Sequence, residues 1–353
     1  MPTIRVLAWP AYGNEHSNPY NALLYNAMQN SSGAQAQREQ IRVQEFSLAR
    51  LFTSRIDVLH LHWPELFLNS NYYFKALFGS IALLFGISVR RLFGTRLVWT
   101  VHNLEPHRIR FPRTSCWFWR HFIRKVDGIC SLSAANESLV LARYPKLSTI
   151  KRTVTYHPLY PVEASALSKV EARQRLQLPT DDTKVFICLG QIKAYKGYDA
   201  LLAVFQTLEH CQLIIAGKCR DAEYLQQLQA QVQGKNHIEI RPGFVADADL
   251  PLYFAAADYS IIPFQTIFNS GSALMSVSFN VSVVLPTTAN FIEYNQLLDQ
   301  RFKLYEGALS AAFIRSLLAT KVQTKTPHVD ALLTWPVAAD RTKALYRALL
   351  ADK

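Results

Sequence analysis

Residues Tyr259–Pro286 read YSIIPFQTIFNSGSALMSVSFNVSVVLP. The order is an apolar β-rich run, an Asn-Ser-Gly-Ser turn, a helical stretch and a second apolar run. Strand, turn, helix and strand in this order form the repeating unit of a parallel sheet covered by helices. The turn Asn269, Ser270, Gly271, Ser272 opens a helix. The first backbone N–H groups of a helix lack intrahelical partners and suit a diphosphate. From Tyr259 to Ile292 there is no Asp or Glu, a character suited to holding an anionic headgroup.

The same alternation extends outward. KVFICLG, CQLIIAG, HIEIRPGFV and DYSIIPF read as buried strands, and KGYDALLAVFQTL, DAEYLQQLQAQVQG and DADLPLYFAAA as the helices between them. In the first half, TIRVLAW, DVLHLHW and RLVWTVH are β-rich runs bounded by loops. The expected fold class is therefore α/β, with two Rossmann-like domains facing across a cleft. HPLYPVEA, within Tyr156–Ala164, marks a proline-containing linker. The expected division is 1–160, 161–330, and a C-terminal helix in 331–353 packing back on the first domain.

The composition supports a folded protein: 50% of the 353 residues are apolar. The first residues lack the pattern of a signal peptide. Five scattered cysteines without a C-x-x-C pair suggest reduced thiols rather than a disulfide or zinc framework. The net charge of +12 is uneven, with residues 1–160 carrying +11 and the rest +1. The first half should thus meet something anionic: a nucleic acid, a membrane surface or a phosphorylated acceptor.

Two segments of that half carry apolar or aromatic character. Ala76–Val89 is 14 residues without a charge. As a helix it would be about 21 Å long, short of the roughly 30 Å needed to span a bilayer. Arg110–Gly128, RFPRTSCWFWRHFIRKVDG, interleaves Arg with Trp and Phe. The headgroup zone of a bilayer is the favoured reading; single-stranded nucleic acid and simple cover for the sheet are the alternatives.

LGQIKAYKG (Leu189–Gly197) places Gly190 at a strand end, with Gln191, Lys193 and Lys196 in the loop after it. Two lysines at the carboxyl edge of such a sheet supply cations for a diphosphate. LGQIKAYKGYDALL, LIIAGK, IRPGFVADADLPLYFAAADYSIIPF and VVLP, in this order over roughly Lys184–Pro286, resemble the donor domain of the GT-B glycosyltransferases. The resemblance implies a nucleotide-sugar donor in the second domain and an acceptor in the first. It places Lys196 on the donor diphosphate and Phe244, after a strand ending at Gly243–Val245, near the nucleobase. In the large retaining group of this fold, the segment matching Ile267–Met275 carries paired glutamates; both matching positions are apolar here. SNPYNALLY, DVLHLHWPE, TVHNLEPH, KAYKG, FNSGSALMSVSFN, LYEG and TWP extend the similarity over nearly the whole chain to the xanthan-type β-1,4-mannosyltransferases. These are inverting enzymes that move mannose from GDP-mannose to a lipid-linked oligosaccharide. Gly13–His16 does not match, which leaves the acceptor open.

Inversion is a single displacement and needs one group to take the acceptor proton. DVLHLHWPE puts His60, His62 and Glu65 at a strand's carboxyl end; TVHNLEPH does the same for His102, Glu105 and His107. Glu65 is the first choice as base, His102 the second and Glu15 the third. The histidines have the alternative of bracing the loops, and Glu65 of being a solvated carboxylate. The pair Asp247–Asp249 resembles a metal-binding motif of the other glycosyltransferase fold, but reads here as a helix N-cap. With Lys196 and a helix start on the diphosphate, no metal or other cofactor is expected.

The leading expectation is an inverting, metal-independent transferase using a nucleotide-sugar donor and a polyprenyl-diphosphate-linked oligosaccharide acceptor in exopolysaccharide synthesis. It would be peripheral on the anionic inner face of the cell membrane, on the cytoplasmic side, with no nucleic-acid partner. The alternatives are a UDP-sugar-dependent transferase (glucose or glucuronate), a non-catalytic GT-B subunit, and a basic nucleic-acid-binding protein.

Overall fold

The computed structural model describes residues 3–15, 18–30, 40–104, 109–163, 166–264, 268–321 and 330–352. The chain forms two units, Met1–Pro158 with Ala331–Lys353, and Leu159–Asp330. In the first, strands β1 (Thr3–Trp9), β2 (Gln40–Glu45), β3 (Val58–Leu61), β4 (Arg96–Val101), β5 (Gly128–Ser131) and β6 (Lys151–Val154) form one sheet. Its order is β2-β1-β3-β4-β5-β6, and every pairing is parallel. The intervening helices are α1 (Tyr20–Gln29), α2 (Leu48–Thr53), α3 (Tyr73–Leu92), α4 (Pro112–Ile123) and α5 (Ala134–Arg143).

The second unit repeats the plan. Helix α6 (Lys169–Arg175) precedes β7 (Lys184–Leu189), α7 (Tyr198–Phe205), β8 (Cys211–Gly217), α8 (Ala222–Gln231) and β9 (Ile238–Pro242). Then come α9 (Leu250–Ala256), β10 (Tyr259–Ile261), α10 (Gly271–Ser278), β11 (Ser282–Pro286), α11 (Ala289–Leu297), β12 (Phe302–Tyr305) and α12 (Ala311–Leu318). The sheet order is β12-β11-β10-β7-β8-β9, again all parallel. Read from β9, this is the dinucleotide-fold order in which the chain reverses direction between the first strand and the fourth. Strands such as β8, CQLIIAG, are buried throughout, as expected where helices cover both faces. The last helix, α13 (Trp335–Ala351), belongs to the first unit, where its Ala338, Ala339, Leu345, Tyr346 and Leu349 join the core beside β1 and α1.

Three local expectations need correction. The apolar run Ala76–Val89 lies inside a 20-residue helix, Tyr73–Leu92, because its flanks also favour helix. At about 30 Å it is long and apolar enough to cross a membrane by length and composition, although a third of its most apolar window is buried. The strand expected to run to Val245 ends at Pro242, where Gly243 takes φ +152°. Asp249 precedes α9 but makes no capping bond, because its backbone is already helical after the short turn Asp247–Asp249. A side-chain cap needs an extended residue there.

In α4 the aromatic residues Trp119 and Phe122 turn inward against Trp99 of β4, with buried Phe118 packed on both, while Arg113 and Arg120 point outward. These rings therefore cover the sheet and offer no stacking platform to a nucleic acid.

Candidate active site

Ligands of such sheets sit where the strand order reverses, beyond the carboxyl ends. In the second unit that point lies between β7 and β10. Gly190, with φ +126°, ends β7 and turns the chain. Gly217, ending β8, packs so closely that a Cβ there would meet the Gly190 carbonyl oxygen at 1.8 Å. Gly197, with φ +76°, likewise lets the chain after β10 approach: a Cβ would lie 2.7 Å from the Pro263 oxygen. The loops after β7 and β10 are thereby held together.

Lys196 occupies this junction. Its Nζ lies 3.7 Å from where a Gly190 Cβ would stand and 4.8 Å from the centre of the Phe264 ring. Half-buried, it forms no ion pair among the described residues. Burial holds its ammonium below the ordinary lysine range. A partly desolvated cation without a carboxylate favours an incoming anion. Lys193 is exposed and lies over the Tyr195 ring, and Gln191 is exposed with its carbonyl accepting from the Tyr198 hydroxyl.

The α10 start follows β10 on the same sheet edge. Ser270 caps it by accepting from the Ala273 N–H at 3.1 Å. That bond uses one of the terminal donors and leaves the N–H groups of Gly271 and Ser272 ahead of it. The Asn290 side chain donates to the Phe268 carbonyl at 3.0 Å and ties the preceding turn to α11. Asn269 lies within that turn, and Phe244 is 73% exposed beyond β9. Ile267 falls outside the described residues.

In the first unit the order reverses between β1 and β3. His60 and His62 project to the same side, their rings 4.5 Å apart, and both are buried. His60 bonds the Tyr346 hydroxyl through Nδ1 and the Thr100 hydroxyl through Nε2. His62 meets the Tyr25 hydroxyl at 2.6 Å through Nε2 and the His102 Nε2 at 2.9 Å through Nδ1. Two neutral imidazoles facing nitrogen to nitrogen share one proton, so the tautomers of His62 and His102 are coupled. His102 also stacks on Trp63 at 4.2 Å and meets Tyr20 edge-on. His60 and His62 thus brace other side chains.

Glu65 opens the 3-10 turn Pro64–Asn69 after β3 and is buried. Burial raises its carboxyl to about 7, against a smaller opposing effect of a backbone hydrogen bond. That value suits a base working at neutral pH. Glu15, by contrast, is exposed in the turn after β1. Glu105, His107 and His16 lie outside the described residues.

Sequence reasoning missed Glu45. Its Oε2 accepts from three successive N–H groups, of Ala11, Tyr12 and Gly13, at 3.0, 2.7 and 2.8 Å. A carboxylate in such a nest fixes the β1 loop. Tyr25 and Tyr346 were also missed, since nothing local in the chain marks an aromatic residue as a histidine partner.

The buried imidazoles give a pH prediction. Burial lowers His60 to about 3 and His157 to about 4, and holds His62 and His102 well below the ordinary value. Their unfolded values lie near 6.5. A depressed folded value means stability present above pH ~6.5 and lost as pH falls toward the folded values. The unfolding free energy from urea titration should therefore fall from pH 6.5 to 4 by about 1.4 kcal/mol per pH unit for each proton taken up on unfolding, and the urea midpoint with it. Glu65 opposes this with one proton of the other sign. A midpoint unchanged from pH 7.5 to 4.5 would contradict the buried neutral cluster.

Comparison with known proteins agrees with this geometry. Residues 169–274 match the model of the Glycosyl transferases group 1 family. The chain is 25% identical over 320 residues to the GDP-mannose:glycolipid 4-beta-D-mannosyltransferase of Xanthomonas campestris pv. campestris, covering 90% of this chain and 84% of that protein. Among solved structures, a glycosyltransferase from Rickettsia africae aligns with TM-score 0.64 at 11% identity over 100% of this chain and 99% of that one. Anabaena HepE in complex with UDP and glucose aligns with TM-score 0.62 at 15% identity over 99% and 98%. The fold is GT-B, and the activity these findings support is glycosyl transfer.

Proposed function

We propose that this protein is an inverting hexosyltransferase. It takes mannose from GDP-mannose and gives it to a polyprenyl-diphosphate-linked oligosaccharide in exopolysaccharide synthesis, at the inner face of the cell membrane. The carrying observation is Lys196: a half-buried cation with no ion pair among the described residues, beside Gly190 at the strand-order reversal of the second unit. The mannosyltransferase relatives supply the choice of donor. In this reading Phe244 stacks on the base, and Lys196 with the Gly271 and Ser272 N–H groups holds the diphosphate.

The reaction balances in one step. The acceptor hydroxyl oxygen forms a bond to the anomeric carbon while the bond from that carbon to the diphosphate oxygen breaks. The hydroxyl proton passes to the Glu65 carboxylate, and the nucleoside diphosphate leaves with the bonding electrons. Its added charge falls on Lys196 and the helix start, so this reading requires no metal.

Thermal-shift titration tests the donor. GDP and GDP-mannose should stabilise the protein by a few kcal/mol at concentrations about a hundredfold above the dissociation constant. Stabilisation by UDP and its sugars but not by GDP would overturn the mannose reading and leave a UDP-sugar transferase.

A further inference from the structure

The exposed apolar side chains are concentrated in one place. Among the described residues, most of the exposed large hydrophobics lie between Leu48 and Ile109 of the first unit. On α3, Phe74, Phe78, Ile81 and Phe85 recur at four, seven and eleven residues, one face of a helix. Phe74, Phe78 and Phe85 are 67%, 62% and 60% exposed. Phe52 of α2 continues the stripe, its ring 6.3 Å from that of Phe85. The opposite face, with Ala76, Ser80, Leu83 and Ile87, is buried. A contiguous apolar stripe of this kind marks an interaction surface.

The neighbouring charges identify the partner. Helix α4 packs beside α3. Its outward residues Arg113 and Arg120, with Arg124 just past its end, recur at seven and eleven residues and form a cationic row. A second copy of the chain would bring the same +11 of residues 1–160 against itself. Anionic lipid headgroups complement the arginines, and acyl chains complement the phenylalanines. The buried face of α3 keeps the helix from crossing, because spanning would strip it from its unit.

We infer that α3, with Phe52 of α2, lies in the plane of an anionic bilayer, its phenylalanine stripe among the acyl chains and the α4 arginines at headgroup level. This deepens the proposed function and rests on it only for the reason to be there, the lipid of the acceptor. The first unit would dock by this face while its β1–β3 site serves the headgroup zone.

Sedimentation with vesicles of phosphatidylglycerol and phosphatidylcholine tests it. The wild type should pellet with them and far less with phosphatidylcholine alone. Phe78→Glu with Phe85→Glu should weaken binding roughly tenfold or more. Arg113→Ser, Arg120→Ser and Arg124→Ser together should remove most of the phosphatidylglycerol dependence and its salt sensitivity. Melting temperature and nucleotide-induced stabilisation should be unchanged in both variants, since the altered side chains are exposed and lie on the other unit from the donor site. Loss of nucleotide stabilisation in the wild type would overturn the transferase reading and leave this one standing. Failure of the wild type to pellet would overturn the membrane surface, as would a phenylalanine variant that pellets equally well. So would a wild-type dimer broken by these substitutions without vesicle binding, which would make the face an interface between copies.

Discussion

A Glu65→Gln variant should lose about a hundredfold or more in transfer rate and gain up to about 3 kcal/mol of folding stability at pH 8. Both effects come from the same burial. Inside the first unit the carboxyl is raised from 4.5 to about 7, whereas in the unfolded chain it keeps its ordinary value. A raised folded value gives stability that is fully present below the unfolded value and is lost as pH rises through the folded one. At pH 8 the folded protein therefore holds a carboxylate that costs stability, and neutral glutamine of similar shape removes that cost. Below pH 4.5 both proteins carry a neutral group and should unfold at the same urea concentration. The wild-type rate should rise with pH and level off above about 7, as the base loses its proton. Glu65→Asp should keep that rising limb at reduced height. A glutamine variant that transfers normally would move the base to His102 or Glu15. One without the stability gain at pH 8 would mean that the buried carboxylate is not the charged group described here.

The fold was legible wherever it rests on local periodicity. KVFICLG and CQLIIAG announce buried parallel strands, and the structure places them at Lys184–Leu189 and Cys211–Gly217. Asn269–Ser272 was recognisable because serine before an apolar helix is a local signal, and Ser270 is indeed the cap. What escaped depends on contacts between distant segments. Tyr346 meets His60 across 286 residues of chain, and Glu45 closes on Ala11–Gly13 from 32 to 34 residues away. The mixed pattern of α4 was ambiguous for a related reason. Arginines and aromatics alternate along the chain, and only the helix turn separates them into an outer row and an inner face. For α3 the uncharged run drew the boundary too tightly, since a helix continues through Lys75 and Arg90 without penalty.

Lys196→Ala should lower kcat by roughly 10²–10³-fold and remove most of the thermal stabilisation that a nucleoside diphosphate gives. Both effects follow from the surroundings of the lysine. In the free protein its ammonium is half-buried beside Gly190 and Phe264 with no ion pair among the described residues, and burial weakens its hold on the proton. The free protein should then lose little stability when the cation is deleted, because no ion pair among the described residues is broken. With a donor bound, the same cation faces a diphosphate whose charge grows as the glycosidic bond breaks. The loss should therefore fall more on kcat than on the donor KM, the mark of an interaction strengthened in the transition state. Lys196→Arg should rescue little, because a planar fork replaces a compact point charge in a cleft shaped by Gly190 and Gly197. Gly190→Ala gives an independent check, since φ +126° strains any side chain there and its Cβ would stand 3.7 Å from the lysine nitrogen. Full activity in Lys196→Ala would place the diphosphate elsewhere. Full nucleotide stabilisation with no transfer in the wild type would instead favour a GT-B subunit that binds the donor without catalysing.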